Sequence, residues 1–203
     1  MTISINLSDE QRDALLDLTT ISMGEAGDRL GKLLDTYVDL STPHVEIMGP
    51  SDIAMALHSL DCSDTISGVC QGFIGGGIAG EAMIFFNDTS FIDLAHLMNY
   101  DDELDEQAER ELLMDTSNVL IGACIKGLAE HIDHIFSFGS PLILGQHLRL
   151  DEFFKPEKAL WNQALVTEIN YRLEGYNVNC DLLMIMTESS IDRLLRRLDI
   201  LLN

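Results

Sequence analysis

Asn118 sits in the run Glu111-Leu112-Leu113-Met114-Asp115-Thr116-Ser117-Asn118-Val119-Leu120-Ile121. The apolar spacing there is that of a helix, and an asparagine in a helix interior has poor propensity. No proline interrupts positions 101–140. At 100° per residue, Glu111, Asp115 and Asn118 fall within about 60° of one another and form one polar stripe. A planar carboxamide both donates and accepts hydrogen bonds, so on a rigid helix it can hold a water molecule in a chosen direction. A carboxylate one turn away can grip a cation. The plainer reading of the trio is a solvated polar face with Asn118 bonded locally.

The arrangement occurs twice. A shift of 98 positions lays Asp13 on Glu111, Asp17 on Asp115, Thr20 on Asn118, Gly24 on Gly122, Asp35 on Asp133 and Pro43 on Pro141, without a gap. Both copies close on a hydroxyl residue and proline, Thr42-Pro43 and Ser140-Pro141. Proline biases the residue before it to extended backbone, and strand-like segments follow, His44–Ile47 and Leu142–Leu144. Two amphipathic helices aligned by chance would match leucines but not the distant prolines. The chain is an internal duplication, one domain over 1–203 with halves of roughly 1–100 and 101–203.

The elements that carry these residues follow from local signals. Ser8-Asp9-Glu10-Gln11 is a capping box opening a helix to about Asp35, and the central helix covers about 104–133. Thr65–Phe73 and Ala79–Phe86 read as paired strands around Gly75-Gly76-Gly77. Leu165–Leu173 and Asn177–Met186 read as a second pair around Glu174-Gly175. Ser90–Met98 is a short helix with Asp88, Thr89 and Ser90 as cap candidates, and Ser189-Ser190-Ile191-Asp192 caps a last helix ending at Asn203. Glu157–Gln163, with the single tryptophan Trp161, is expected as a short inserted helix, and Ser51–Asp61 is undecided. The acidic junction 100–109 complements a helix N-terminus. The expected fold is α+β: two pseudo-twofold halves of helix, strand, hairpin and helix, with both long helices on one face of a shared antiparallel sheet.

Several other chemistries fail on context. Gly75-Gly76-Gly77-Ile78-Ala79-Gly80 matches G-x-G-x-x-G, but a strand rather than a helix follows, so no amides are presented to a pyrophosphate. His131 and His134 lack a third metal ligand and suit the last turn of a helix, so no metal site is expected. Cys62, Cys70, Cys124 and Cys180 show no C-x-x-C spacing, and three lie in apolar-patterned segments, as buried free thiols do. A net charge of −22 argues against nucleic acid and anionic membrane as partners. No apolar run is expected to approach the length that spans a bilayer, and Met1-Thr2-Ile3 opens no signal peptide. The expected compartment is the cytoplasm.

The stripe and its repeat resemble the CheC–CheX–FliY family of bacterial chemotaxis phosphatases, whose pattern is [DS]-x3-E-x2-N-x22-P. Asn118 and Pro141 are separated by 22 residues, as are Thr20 and Pro43. The resemblance spans nearly the whole chain. Asp115 and Asp17 stand where the family has Glu, Glu111 where it has Asp or Ser, and Thr20 where it has the essential Asn. The resemblance therefore implies a working second site (Asp115 and Asn118, supported by Glu111) and a degenerate first site (Asp17 and Thr20). It implies a phosphatase acting on the phosphoaspartate of a CheY-like receiver domain, with Mg2+ held by that partner and no cofactor of its own. Asn118 would position the attacking water and Asp115 would pair with the receiver's lysine. A non-catalytic adaptor for a receiver, or for a CheD-like deamidase, is the alternative. With the chain ending at Asn203, the flagellar-switch module of FliY-like proteins is expected to be missing.

Overall fold

The computed structural model describes residues 5–59, 65–100 and 104–202. Cys62 and the acidic residues Asp101, Asp102 and Glu103 lie outside that range. Helix α1 (Asp9–Leu34) opens on the expected capping box: Ser8 Oγ accepts from the Gln11 N–H and Gln11 Oε1 accepts from the Ser8 N–H, both at 3.1 Å. After β1 (Val38–Leu40), β2 (His44–Met48) and α2 (Pro50–Ser59) comes the hairpin β3 (Ile66–Gly75)–β4 (Ile78–Asn87), then α3 (Ser90–Leu97). Gly76 and Gly77 carry φ of +59° and +80°, the positive angles that a tight hairpin turn of the primed type demands.

The second half repeats the order: α4 (Glu106–His131), β5 (Ser137–Phe138), β6 (Leu142–Leu148), α5 (Leu150–Phe153), β7 (Ala164–Leu173), β8 (Asn179–Thr187) and α6 (Glu188–Leu202). The N-cap Asp105 accepts from the Ala108 N–H at 2.8 Å. Asp35 and Asp133, 98 positions apart, both sit in left-handed backbone just past their long helices, at φ +48° and +53°. The duplication therefore extends to how each helix is turned back toward the sheet.

The described residues form one eight-stranded sheet in the order β1-β7-β8-β4-β3-β5, with β2 also beside β7 and β6 beside β3. Every pairing is antiparallel. Exchanging the halves reverses this order onto itself, which is the pseudo-twofold. The edge strands are traded: β1 and β2 of the first half pair with β7 of the second, and β5 and β6 of the second pair with β3 of the first. The halves are thus intertwined within one sheet.

Both long helices pack on one sheet face. Met23, Leu30, Leu113, Leu120 and Ile121 meet Val69, Ile84, Phe86, Leu182 and Met184 in the main core. The opposite face carries a smaller core in which Ile53 of α2 joins Ile66, Phe85, Val166 and Leu183. Phe153 of α5 meets Phe85 edge-on at 5.4 Å. The undecided stretch at 51–61 is thus mostly helix, and it covers sheet that the long helices leave bare.

The expected helix at Glu157–Gln163 does not form. Only Pro156–Lys158 makes a 3-10 turn. The Asn162 and Gln163 N–H groups are taken instead by the Glu188 carboxylate, at 3.0 and 3.1 Å, while Trp161 packs near Phe154. A second expectation also changes. By length and composition α4 could cross a membrane, but 67% of its apolar stretch is buried inside the fold, as in the core helix of a packed domain.

Candidate functional site

Helix α4 is flanked by α1 and the sheet, and Leu112, Leu113, Thr116, Ser117, Leu120 and Ile121 are buried. What this leaves outward is narrow: Glu111, Asp115 and Asn118 are all exposed. Glu111 accepts from Gln107 Nε2 at 3.2 Å. Asp115 and Asn118 have no side-chain partner among the described residues. One turn further on, a Cβ added at Gly122 would meet nothing within 4 Å. The carboxylate and carboxamide therefore stand on an uncovered helix surface, free to meet another molecule.

The first copy has the same exposure and different bonding. Asp17 and Thr20 are exposed on α1, but Thr20 Oγ1 donates to the Leu16 carbonyl at 2.7 Å. That back-bond to the preceding turn is typical of a helical Thr, and it turns the hydroxyl's one proton into the helix. A carboxamide has two N–H groups and an acceptor to offer outward.

The other singled-out residues are used structurally. His131 Nδ1 lies 2.7 Å from the Gly127 carbonyl, and His134 Nδ1 lies 2.8 Å from that of Asp133. Both rings thus bond backbone carbonyls at the end of α4. Among the described residues, no group of three or more His, Cys, Asp or Glu is placed to hold a metal ion. Cys124 and Cys180 are buried free thiols and Cys70 is half-buried. Burial pushes Cys124 up to about 12 and Cys70 to about 11, so none of these thiols supplies a ready nucleophile.

Two features had no signal in the sequence. The first is His147 on β6, in left-handed backbone at φ +54°. Its Nδ1 lies 3.0 Å from Asp88 Oδ2 and its Nε2 lies 2.8 Å from Glu109 Oε2. Partial burial disfavours the imidazolium, but the hydrogen bond and charge of Asp88, with those of Glu109, outweigh it and raise the pKa. The clasp ties β6 to the start of α4 and to the turn before α3. The second is an apolar pocket of about 260 Å3 where the chain leaves α4, lined by Lys126, Ala129, Ile135, Phe136 and Phe138 among others. Its pseudo-twofold counterpart beside α1 is a wider groove of about 600 Å3 lined by Gly27, Asp28, Gly31, Lys32, Tyr37 and Leu40 among others. Only the three-dimensional return of the chain over each helix end brings these residues together.

No family model matches the chain, and no curated protein matches it in sequence. Solved structures do match in fold. The crystal structure of Thermotoga maritima FliY superposes with a TM-score of 0.71 at 15% identity, covering 96% of this chain and 98% of that one. The chemotaxis protein CheX from Desulfovibrio desulfuricans gives 0.57 at 13% identity, over 84% of this chain and 99% of that one. The FliM middle domain from Vibrio alginolyticus gives 0.61 at 11% identity, over 91% and 98%. At such identities the likeness is one of fold. The chain has the fold of the CheC–CheX–FliY proteins.

Proposed function

We propose that this protein acts in chemotaxis signalling as a phosphatase on the phosphoaspartate of a CheY-like receiver domain. The observation that carries this reading is the pair Asp115 and Asn118, one turn apart on a rigid core helix, exposed and without side-chain partners among the described residues. A receiver holds its acyl phosphate with its own Mg2+, so a helper has little to supply beyond an oriented water. Asn118 accepts from and donates to that water, holding it in line with the P–O bond that breaks. Asp115 pairs with the receiver's lysine and so fixes the helix against the partner. The chain brings no cofactor, and a receiver partner puts its work in the cytoplasm. Thr20, with its proton directed at Leu16, leaves the first copy without this chemistry.

A non-catalytic adaptor, binding a receiver or a CheD-like deamidase, is favoured by one specific feature. Asp115 is shorter than the family's Glu by about 1.5 Å, so the anchor reaches less far. The deciding measurement is the decay of phosphorylated receivers with and without the protein. Accelerated decay that Asn118→Ala removes supports the phosphatase. Binding with no acceleration for any receiver from the same cell leaves the adaptor.

A further inference from the structure

The stripe from Glu111 to Asn118 is too small to recognise a protein alone. Seven rises from Glu111 to Asn118 span about 10 Å, and a helix is about 10 Å wide. That gives roughly 100 Å2, against about 800 Å2 per partner in a standard specific interface. A receiver held by this stripe must also touch its surroundings. Toward the start of α4 the neighbours Glu106, Gln107 and Arg110 are exposed and polar. Toward its end the same helix face changes character.

Glu111, Asp115, Asn118, Gly122, Lys126 and Ala129 fall within about 80° on a 3.6-residue helix. Past the open surface at Gly122, this track enters the 260 Å3 pocket. Ala129 forms part of its lining and is buried, Phe138 is 41% exposed, and Ile135 stands out at 89%. Ala129, Ile135, Phe136 and Phe138 give the pocket its apolar wall, with Lys126, Glu130 and His134 completing the lining, and an apolar centre edged by polar groups is how interfaces are built. The other half is an internal comparison. Where Ile135, Phe138 and Lys126 stand, it has Tyr37, Leu40 and Asp28, and Asp28 is tied to Lys32 at 2.5 Å beside a wider groove. Both halves thus carry an open groove at this place, about 550 Å3 beside α4 along Gly76, Glu130, Asp133, His134 and Ile135, and beside α4 the smaller apolar pocket adjoins it.

We propose that this pocket is a second anchor for the receiver, taking an apolar side chain about 16 Å along the helix from Asn118, and that Gly122 keeps the surface between them clear. The inference rests on the proposed function and adds orientation to it. The acidic stripe faces the partner's lysine, and Lys126, paired with Glu130 at 3.6 Å, gives the other end a cation. The receiver therefore lies with its lysine toward the start of α4 and an apolar residue over Ile135.

The test uses the full chain and a CheY-like receiver charged with acetyl phosphate. Ile135→Asp and Gly122→Leu should each raise KM at least tenfold and leave kcat within twofold, whereas Asn118→Ala should lower kcat. Gly24→Leu, the matched change on α1, should alter neither. Thermal melts establish that the variants are folded, and Ile135→Ala serves should Ile135→Asp fail to fold. Turnover with KM unchanged in the Ile135 variant overturns the second anchor and leaves the phosphatase standing, whatever Gly122→Leu does. If the wild type binds the receiver without turnover, the same variants must weaken Kd at least tenfold, and an unchanged Kd overturns the anchor. If the wild type neither binds nor accelerates decay, the proposed function and the anchor fall together.

Discussion

Thr20 and Asn118 are alternative answers to one structural question: what a side chain does when the fold exposes it on the outer face of a long helix. Thr20 returns its proton to the Leu16 carbonyl, and the Asn118 amide bonds to no side chain among the described residues. Losing the group that orients a reactant typically costs on the order of 10²-fold. On the proposed function, Asn118→Ala is therefore expected to remove about that much of the dephosphorylation rate while receiver binding persists. Asp115→Glu, with its longer reach, should hold or raise activity, and a tenfold fall would remove Asp115 as the anchor. His147 gives a separate expectation at this scale. Its pKa is raised in the fold by Asp88 and Glu109, against the opposing effect of burial. A raised folded pKa stabilises fully below the unfolded value of about 6.5, and that contribution is lost as pH rises through the folded value. The wild type should thus melt progressively closer to His147→Gln as pH climbs above about 6.5. A gap between their thermal midpoints that widens instead would contradict the clasp.

At the scale of elements, α1 and α4 are held at close range by Gly127. A Cβ there would lie 3.1 Å from the Ser22 backbone and 3.0 Å from Glu25 Oε2. Gly127→Leu should force the helices apart and cost about 1–3 kcal/mol, whereas Gly122→Ala, facing open space, should stabilise by up to about 1 kcal/mol. Denaturant melts of the two variants read both signs. The long helices were legible in the sequence because the capping box and the uninterrupted apolar spacing are local signals. The strands were legible by alternation around Gly75-Gly76-Gly77 and Glu174-Gly175. No helix forms over 157–163 because the Asn162 and Gln163 donors go to Glu188, a partner 25 or more residues away that local pattern cannot reveal. Helix α2 has no decisive local signal because Ile53 finds its partners, Val166 and Leu183, only when the sheet exists. The same reason hid the pocket: Ile135 and Phe138 are unremarkable apolar residues until the left-handed turn at Asp133 lays them beside α4. Asp115 and Asn118 were legible because they lie on a single helix, so their common face needs only a period of 3.6.

For the whole molecule, the duplication predicts a symmetric fold, and the trade of edge strands decides how separable the halves are. Residues 1–100 cut from the chain would lose β7 as the partner of β1 and β2, β8 as the partner of β4, and β5 and β6 beside β3. Helix α1 would lose α4, against which Ser22 and Glu25 pack at Gly127. Such a fragment exposes both edges of its hairpin and half of the main core, and unpaired edges of that kind seek other strands. The fragment 1–100 is therefore expected to show no cooperative melt as a monomer. Because β7 occupies the place of β3, a second copy of the fragment could offer β3 where β7 belongs, and any folded form should be a dimer. Mixing fragments 1–100 and 101–203 should restore a cooperative transition in a one-to-one complex, read by sedimentation and thermal melting together. A monomeric 1–100 that melts cooperatively would mean that each half carries its own core, and the intertwined sheet would then not be what holds the protein together.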